Sequence, residues 1–391
     1  MQIFTLTSRI IVTCSNRLAP YLQKEIEALG FTPIRIFKTG VELQGSLQDC
    51  IKLNLHLRCA SQVLFSLKEC RATDAEDVYK VALDMPWEEI IPATGYFSVT
   101  SNVNNDTITN NLYVNVKVKD AIADRCREKT GSRPNSGSEL NGVVIHLYWK
   151  DELAELFIDT SGDTLSKHGY RRIPGKAPML ESLAAATIYA TDWDRKTSFV
   201  NPMCGSGTLA IEAALIATNR VPGLYRYNYA FMHLVGYTNE MYSAELAIIQ
   251  AQVIDNNPLK IYVSDISEDA INVAKINAGV AGVEEMMVFE VCSFEKATLP
   301  NEAGSIVFFN PEYGDRLGEE KELEITYALI GDFMKKQCKG YMGYIFTGNL
   351  VLAKKIGLKP KRRLEFYTSK IDCRLLEYEL YSGSREIKKE L

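Results

Sequence analysis

The sequence lacks the cysteine and histidine patterns that build disulfide frameworks and metal centres. It has nine cysteines in 391 residues, an odd number, and they form no Cys-x-x-Cys pair. Such a scattered set argues against both a disulfide framework and a structural zinc site, and it predicts a reducing, cytoplasmic environment. There are only four histidines and they lie far apart in the sequence, so we expect no metal centre. They are His56, His146, His168 and His233.

The sequence also lacks long apolar runs, internal repeats and low-complexity segments. No apolar stretch approaches the roughly 20 residues of a membrane span. The first nine residues do not follow the charged, apolar and small-residue order of a signal peptide. Hydrophobic residues make up 46% and charged residues 24% of the chain, as in ordinary globular proteins. We therefore expect no membrane partner, and the length predicts two or three domains.

Positive charge is in deficit, with a formal net charge of −5 and a sequence pI near 5.6. This balance argues against a general nucleic-acid binder. The basic residues are nevertheless clustered, and two interpretations stay open: solvated surface, or a local track for a polyanion. The clusters are Arg125, Arg127, Lys129 and Arg133; Lys167, Arg171, Arg172 and Lys176; and Lys354, Lys355, Lys359, Lys361, Arg362 and Arg363.

The first 160 residues mix strands and helices without a repeated β-α order, which predicts an α+β fold. Residues 102–107 and 133–138 are polar and read as loops. A stretch rich in glycine and basic residues, 161–178, predicts a domain junction. The predicted strands are 10–13, 32–37, 41–43, 62–67, 96–100, 143–148 and 153–159, and the predicted helices 18–29, 47–55, 75–83 and 112–129.

Beyond residue 178 short apolar strands alternate with helices, which predicts a Rossmann-like, doubly wound, mostly parallel sheet. Two terminal strands, 363–369 and 373–381, predict a closing hairpin. An aromatic stretch, 225–237, lies between the first and second strands of this sheet and makes their connection unusually long. It is interpreted either as a lid over the core or as a wall of the substrate pocket.

A glycine loop follows the first of these strands. Gly205 and Gly207 permit positive φ and leave no Cβ in the path of a ligand. The helix that begins after them offers free N–H groups to a carboxylate or phosphate. The spacing Gly-x-Gly-x-x-Ala also fits nicotinamide and flavin enzymes.

Asp265, at the end of the next strand, is suited to accept both hydroxyls of a ribose. In a dehydrogenase this acid follows the glycines by roughly 20 residues, whereas here the separation from Gly207 is 58 (265 − 207). The longer separation counts against a nicotinamide site. The alternative role for Asp265 is a helix N-cap.

Asn310-Pro311-Glu312-Tyr313 follows the fourth strand and is the most specific feature of the sequence. An exocyclic amine on an aromatic ring is a poor nucleophile because its lone pair is delocalised. Acceptors on the Asn310 side chain and the Pro311 carbonyl would favour the pyramidal, reactive form, provided they are fixed beforehand. Tyr313 offers a face for a splayed-out base. The alternative is an ordinary Pro-Gly turn.

Together these motifs resemble the THUMP-domain RNA guanine-N2 methyltransferases, most closely the RlmL-like branch that acts on large-subunit ribosomal RNA. The matching segments are Asn201–Leu209 with Glu212-Ala213-Ala214, Asn310-Pro311-x-Tyr313-Gly314-x-Arg316-Leu317, and Leu165–Arg171 with Ala177-Pro178 and Glu181–Ala185. The resemblance implies a ferredoxin-like region (1–43), a THUMP RNA-binding domain (44–160) and a class I methyltransferase domain (161–391).

The resemblance further implies methyl transfer from S-adenosylmethionine to N2 of a guanine in RNA, with 23S ribosomal RNA as the first expectation and tRNA as the alternative. Asn310, Pro311 and Tyr313 are the implied catalytic residues. Glu312 stands where this family usually has a second proline, and Ser293 where it usually has an acid. The implied cofactor-binding residues are Asn201, Pro202, Cys204, Gly205, Gly207, Thr208, Asp265, Ile266 and Ser293.

Two rival interpretations stay open. The first is an RNA-binding assembly factor without activity, which Glu312 and Ser293 favour. The second is a nicotinamide oxidoreductase, in which Asn310-Pro311-x-Tyr313 has no function. RNA is the expected partner, no metal is expected, and the sequence leaves the oligomeric state open.

Overall fold

The computed structural model describes residues 3–106, 108, 110–175, 178–314, 320–368 and 371–381. The chain divides into two compact units, Met1–His168 with Val221–Gln252, and Gly169–Arg220 with Val253–Leu391. The polypeptide therefore passes from one unit to the other three times. The domain boundaries after residues 43 and 160 stay a prediction.

The N-terminal unit is built on one eight-stranded mixed sheet in the order β2-β3-β1-β4-β8-β7-β5-β6. Strand β5 runs parallel to β6 and β7, and the other pairs are antiparallel. Its elements up to residue 168 are β1 (Thr7–Thr13), α1 (Ala19–Ala28), β2 (Arg35–Phe37), β3 (Gly40–Ser46), α2 (Leu47–His56), β4 (Gln62–Arg71), α3 (Ala75–Leu83), β5 (Tyr96–Asn104), α4 (Asn111–Thr130), β6 (Asn135–Gly137), β7 (Val143–Lys150) and β8 (Leu153–Asp159).

The α+β prediction for this part is confirmed, but both predicted loops need correction. Strand β5 continues to Asn104 because Asn102–Asn104 pair with Tyr148–Lys150 of β7. Within 133–138, residues Asn135–Gly137 form β6 against Tyr96–Ser98. Asparagine, serine and glycine have low strand propensity, so the neighbouring strand, and not the local sequence, decides this pairing.

The second unit contains a seven-stranded sheet in the order β11-β10-β9-β12-β13-β15-β14. All pairs are parallel except those of β15, which runs antiparallel to β13 and β14. This confirms the doubly wound sheet with a C-terminal hairpin. The elements from residue 169 on are α5 (Glu181–Tyr189), β9 (Phe199–Pro202), α6 (Thr208–Ala217), α7 (Asn239–Ala251), β10 (Ile261–Asp265), α8 (Glu268–Val280), β11 (Met287–Val291), β12 (Ile306–Phe309), α9 (Glu320–Gln337), β13 (Met342–Thr347), α10 (Leu350–Lys355), β14 (Arg362–Thr368) and β15 (Ile371–Glu379).

The aromatic stretch before β10 belongs to the N-terminal unit, together with α7. The rings of Tyr229 and Phe231 are fully buried and stack with centroids 5.1 Å apart. Arg226 donates to the carbonyl oxygens of Asp163 and Thr164, each over 2.8 Å. The stretch completes the core of that unit, as the core-covering interpretation predicts.

No helix in the described part of the chain is both long enough and apolar enough to cross a bilayer.

Candidate active site

The glycine loop (residues 203–207) and the Asn310 turn (residues 310–314) leave the sheet at the same edge. They follow β9 and β12, which are parallel neighbours with Val307 opposite Val200. Ligands of open α/β sheets bind beyond this carboxyl edge. The sheet order therefore brings together the two motifs that the sequence separates by a hundred residues.

Backbone conformation explains both glycines of the loop. Gly205 and Gly207 have φ of +55° and +81°, and Met203 shares this left-handed region at +56°. A Cβ built on Gly207 would lie 2.9 Å from the Cβ of Ala274 in α8, so Gly207 permits close helix packing. A Cβ on Gly205 would meet no described atom within 4 Å. Gly205 therefore presents bare backbone to open space, where a ligand can approach.

The carboxylate of Asp265 joins the end of β10 to the glycine loop. Its Oδ2 accepts from the Gly205 N–H and its Oδ1 from the Ser267 N–H, both over 3.0 Å. The N-cap of α8 is Ser267, whose side chain accepts from the Ala270 N–H. The N-cap alternative for Asp265 is thus wrong. Each carboxylate oxygen retains acceptor capacity for a further donor.

Cys204 is suited to packing and not to nucleophilic attack. Burial raises the pKa of its thiol, and the nearby Asp265 carboxylate raises that pKa further. A protonated thiol is a poor nucleophile.

The remaining predicted cofactor residues have different surroundings. Thr208 is buried and its hydroxyl accepts from Nη2 of Arg171 over 2.9 Å. Ile266, after β10, is 78% exposed. Ser293, beyond the end of β11, has its hydroxyl 3.5 Å from Oε2 of Glu295. Ile266 and Ser293 follow the carboxyl ends of neighbouring strands, whereas the Thr208 hydroxyl is directed at the protein interior.

Two asparagine oxygens at this edge are buried without a hydrogen-bond partner among the described residues. They are Oδ1 of Asn201 and Oδ1 of Asn310. The Asn201 amide is oriented by its Nδ2, which donates to the Phe308 carbonyl over 2.9 Å. A buried acceptor without a partner is costly in a folded protein. These oxygens are therefore candidates to accept from a bound ligand.

Side chains of α9 and of the segment that follows β13 hold the backbone of the Asn310 turn by hydrogen bonds. The Tyr327 hydroxyl donates to the Glu312 carbonyl over 3.3 Å and lies 2.8 Å from the Thr347 hydroxyl. Nδ2 of Asn349 donates to the Tyr313 carbonyl over 3.3 Å. The Glu312 side chain itself is exposed. The turn is therefore anchored through its main-chain carbonyls and not through the side chain at position 312.

The Tyr313 ring packs against a glycine. A Cβ added to Gly348 would lie 3.1 Å from Cδ2 of Tyr313 and 2.6 Å from Ile371. Residues Arg316 and Leu317 of the sequence motif lie outside the described residues, as do Lys176 and Ala177 of the junction motif.

Sequence reasoning missed the residues that hold these two loops. Tyr327, Thr347 and Asn349 support the Asn310 turn, and Asn277 of α8 bonds to the glycine loop through the Ser206 carbonyl. One signal was available, because Asn277 is a polar residue on the buried face of a helix. Its neighbours on that face, Ile271, Ala274 and Ala278, are apolar and buried.

Much of the C-terminal basic cluster is paired with acids. Lys355 contacts Glu324 over 2.9 Å, and Arg362 contacts the buried Glu377. Among the described residues, three of the six cations of this cluster, Lys355, Lys361 and Arg362, have an acidic partner, so both interpretations of the cluster stay open. In the part of the chain that the structure describes, no group of three or more His, Cys, Asp or Glu side chains is arranged to hold a metal ion.

Three family models match consecutive parts of the chain: the RlmL ferredoxin-like domain over residues 9–64, the THUMP domain over 72–159 and the RMKL-like methyltransferase domain over 168–377. The last of these spans more than half of the sequence. The chain belongs to the RlmL-like methyltransferase family. The resemblance inferred from the motifs is thereby confirmed.

Individual relatives agree with this assignment. "Ribosomal RNA large subunit methyltransferase K/L" of Syntrophotalea carbinolica is 34% identical over 95% of this RlmL-like chain. The chain spans about half the length of the curated relatives it matches (53% and 50%). A "possible methylase" from Clostridium difficile superimposes with a TM-score of 0.87 at 26% identity, covering 97% of this chain and all of that one. A "predicted N6-adenine-specific DNA methylase" from Listeria monocytogenes gives 0.86 at 27% identity, covering 97% of both chains.

Proposed function

We propose that this protein transfers a methyl group from S-adenosylmethionine to the exocyclic N2 of a guanine in large-subunit ribosomal RNA. Three observations support the proposal: membership of a methyltransferase family, the name of a relative that acts on ribosomal RNA, and the arrangement of acceptors around the Asn310 turn.

The buried Oδ1 of Asn310 is the observation that carries the proposal. It has no hydrogen-bond partner among the described residues, and an amino N–H can supply one. Bonding to Asn310 Oδ1 would draw the amine out of conjugation with the base, which restores its lone pair. Acceptors that are fixed before the reaction need no reorganisation, and they favour the transition state over the ground state.

The rest of the turn fits the same task. The Pro311 carbonyl would be the second acceptor for the amine hydrogens. The Tyr313 ring, supported by Gly348, would stack on a base that has left its helix. Catalysis is then chiefly alignment, because holding reactants in a near-attack geometry removes much of the entropic barrier. Our assignment of catalytic roles is therefore Asn310, Pro311 and Tyr313.

The residues beside the glycine loop fit the cofactor. Gly205 offers backbone with no Cβ, and the orphaned Oδ1 of Asn201 can accept from an ammonium group. Asp265 has acceptor capacity left for ribose hydroxyls. We assign the cofactor contacts to these residues, with Pro202, Cys204, Gly207, Thr208, Ile266 and Ser293 around them. S-adenosylmethionine supplies an electrophilic methyl group on its sulfonium.

Two alternatives are kept for the test: tRNA as the substrate, and an RNA-binding assembly factor without activity. Glu312 and Ser293 are the departures that favour the second. The exposed side chain of Glu312 and the anchored carbonyl of the same residue argue that this departure leaves the turn in place. A cytoplasmic location and RNA as the partner belong to the same proposal.

The decisive experiment measures methyl transfer and its product together. The purified protein is incubated with methyl-labelled S-adenosylmethionine and with RNA from cells lacking the protein, as separate large-subunit rRNA and tRNA fractions. The RNA is digested and the nucleosides are identified by mass spectrometry. We expect labelled N2-methylguanosine from the large-subunit rRNA fraction and not from the tRNA fraction.

Each other outcome is informative. Label in tRNA alone supports the tRNA alternative, and N6-methyladenosine overturns the choice of guanine. The absence of label from both fractions, together with no calorimetric heat on adding S-adenosylhomocysteine, supports the assembly factor. Binding of S-adenosylhomocysteine without label in either fraction rejects RNA of these two classes as the substrate.

A further inference from the structure

We propose that Asn277 is a positioning residue that fixes the glycine loop in its cofactor-accepting shape by clamping it to the segment 171–175. The inference rests on the proposed use of S-adenosylmethionine and concerns a residue outside the glycine loop and the Asn310 turn. The segment 171–175 is called the strap below.

The amide of Asn277 is fully used by four hydrogen bonds. Its Oδ1 accepts from the N–H groups of Arg172 and Ile173, over 3.0 and 3.2 Å. Its Nδ2 donates to the carbonyls of Ile173 and Ser206, over 2.9 and 3.3 Å. The residue is 1% exposed. An amide has two donors and an acceptor oxygen with two lone pairs, so asparagine satisfies both sides of this clamp at once.

The Ser206–Gly207 peptide is held at both of its polar groups. Its carbonyl accepts from Asn277, and its N–H donates to the Cys204 carbonyl over 3.0 Å. The N–H of Gly205 donates a hydrogen bond to the carboxylate of Asp265. The Cys204–Gly205 and Ser206–Gly207 peptides, on either side of the Gly205–Ser206 peptide, are therefore fixed before any ligand arrives. Such preorganisation lowers the cost of binding.

Helix α8 contacts the loop at a second point one turn earlier. Ala274 lies against Gly207, where a Cβ would come within 2.9 Å. One rigid helix thus sets the position of the loop through a packing contact and a hydrogen bond.

The strap makes two further contacts with the loop and the start of α6. Nη2 of Arg171 donates to the Thr208 hydroxyl over 2.9 Å and to the Met179 carbonyl over 2.5 Å. A Cβ on Gly175, whose φ is +75°, would lie 3.3 Å from the Cβ of Ser206. The strap thus contacts residues 206 and 208 directly, and the Asn277 amide bonds to both the strap and the loop.

The test compares Asn277→Asp with Asn272→Asp. Both substitutions add one negative charge to α8, but Asn272 is exposed. Aspartate at 277 keeps the acceptor towards the strap and loses both donors, leaving the carbonyls of Ile173 and Ser206 facing a carboxylate. Calorimetry should show S-adenosylhomocysteine affinity weakened by about tenfold or more in Asn277→Asp. Asn272→Asp should bind within about twofold of the unaltered protein.

Kinetics and thermal unfolding separate positioning from a purely structural role. For positioning, KM for S-adenosylmethionine rises while kcat at saturating cofactor stays within about threefold. A structural role alone would lower the unfolding temperature of the free protein and leave the affinity unchanged, and that result overturns the inference.

If Asn277→Asp does not fold, Gly175→Ala tests the attachment of the strap to the loop at the neighbouring Gly175–Ser206 contact. It should weaken S-adenosylhomocysteine binding by several-fold while the circular dichroism spectrum is retained. Unaltered affinity in Gly175→Ala would then overturn the inference. Failure of the unaltered protein to bind S-adenosylhomocysteine would instead reject the proposed function on which the inference rests.

Discussion

Nδ2 of Asn201 donates a hydrogen bond to the carbonyl oxygen of Phe308 over 2.9 Å. This bond ties β9 to β12 immediately before the two loops of the candidate site begin. It also determines which way the Asn201 amide faces and leaves its Oδ1 buried without a partner among the described residues, like Oδ1 of Asn310. Two acceptors that have no partner among the described residues thus lie at neighbouring strand ends.

Replacement of Asn310 by alanine should abolish most of the activity and spare cofactor binding. The substitution removes the acceptor proposed for the amine, and loss of one fixed transition-state contact typically lowers kcat by about 10²- to 10³-fold. Single-turnover methylation measures the rate, and calorimetry with S-adenosylhomocysteine measures binding.

Asn301→Ala is the matched control for Asn310→Ala, because Asn301 is an exposed residue of the same unit. It should leave both the rate and the affinity unchanged. Equal rates in Asn310→Ala and Asn301→Ala would reject the amine-acceptor role of Asn310.

The two glycines of the loop should respond differently to alanine. At Gly207 the new Cβ would strike Ala274 at 2.9 Å as well as strain φ, so we expect a loss of about 2–4 kcal/mol of unfolding free energy. At Gly205 the Cβ meets no described atom, so only the backbone strain of about 1 kcal/mol remains. Gly205→Ala should nevertheless lose affinity for S-adenosylhomocysteine, because it fills the space reserved for a ligand. Denaturant unfolding and calorimetry on both variants check this order, and equal stability losses would contradict it.

The aromatic stretch should prove essential to the N-terminal unit. Phe231 is fully buried, and its replacement by alanine should cost about 3–5 kcal/mol in unfolding free energy. Tyr227, in the same stretch, is 82% exposed, and Tyr227→Ala should change stability by less than about 0.5 kcal/mol. Thermal unfolding compares the two variants. A small effect of Phe231→Ala would contradict the assignment of this stretch to the core.

Two buried groups of the N-terminal unit, His146 and Asp159, should make opposite contributions to the pH dependence of its stability. Burial lowers the pKa of His146 to about 4 from its usual 6.5. As the pH drops, His146 is protonated in the unfolded chain before it is protonated in the folded protein. Its contribution to the unfolding free energy therefore falls as the pH drops from about 6.5 to 4. Burial raises the pKa of Asp159 to about 6 from 3.8, so its contribution has the opposite sign and falls as pH rises from about 3.8 to 6. Between about pH 4 and pH 6 the two contributions therefore oppose each other.

His146→Gln should expose the remaining effect of Asp159. Relative to the unaltered protein, its unfolding free energy should decline as the pH rises from about 4 to 6.5, the window of the His146 shift. The difference between the two proteins should change by up to about 3 kcal/mol over the window of the His146 shift. Urea titrations at several pH values measure it. Parallel pH profiles for the two proteins would show that His146 is not the responsible group.

Strand and helix periodicity identified nearly every element of this chain, because apolar spacing reflects which face each element buries. The exceptions were strand β6 and the last residues of β5, which are strands only because they pair with a neighbouring strand. The Asn310 turn and the glycine loop were also recognisable locally, since each depends on residue types with special backbone or hydrogen-bonding properties. Their roles in the reaction stay predictions.

The sequence by itself determined the alternation of strands and helices, the two glycines and the Asn-Pro-x-Tyr turn, because short-range geometry sets these features. Tertiary structure decided that β9 and β12 are neighbours, that α7 and the aromatic stretch belong to the N-terminal unit, and that Asn277 meets Ser206. Those outcomes depend on which surfaces pack together over distances of 70 to 190 residues in the chain. Local residue spacing carries no record of such long-range contacts.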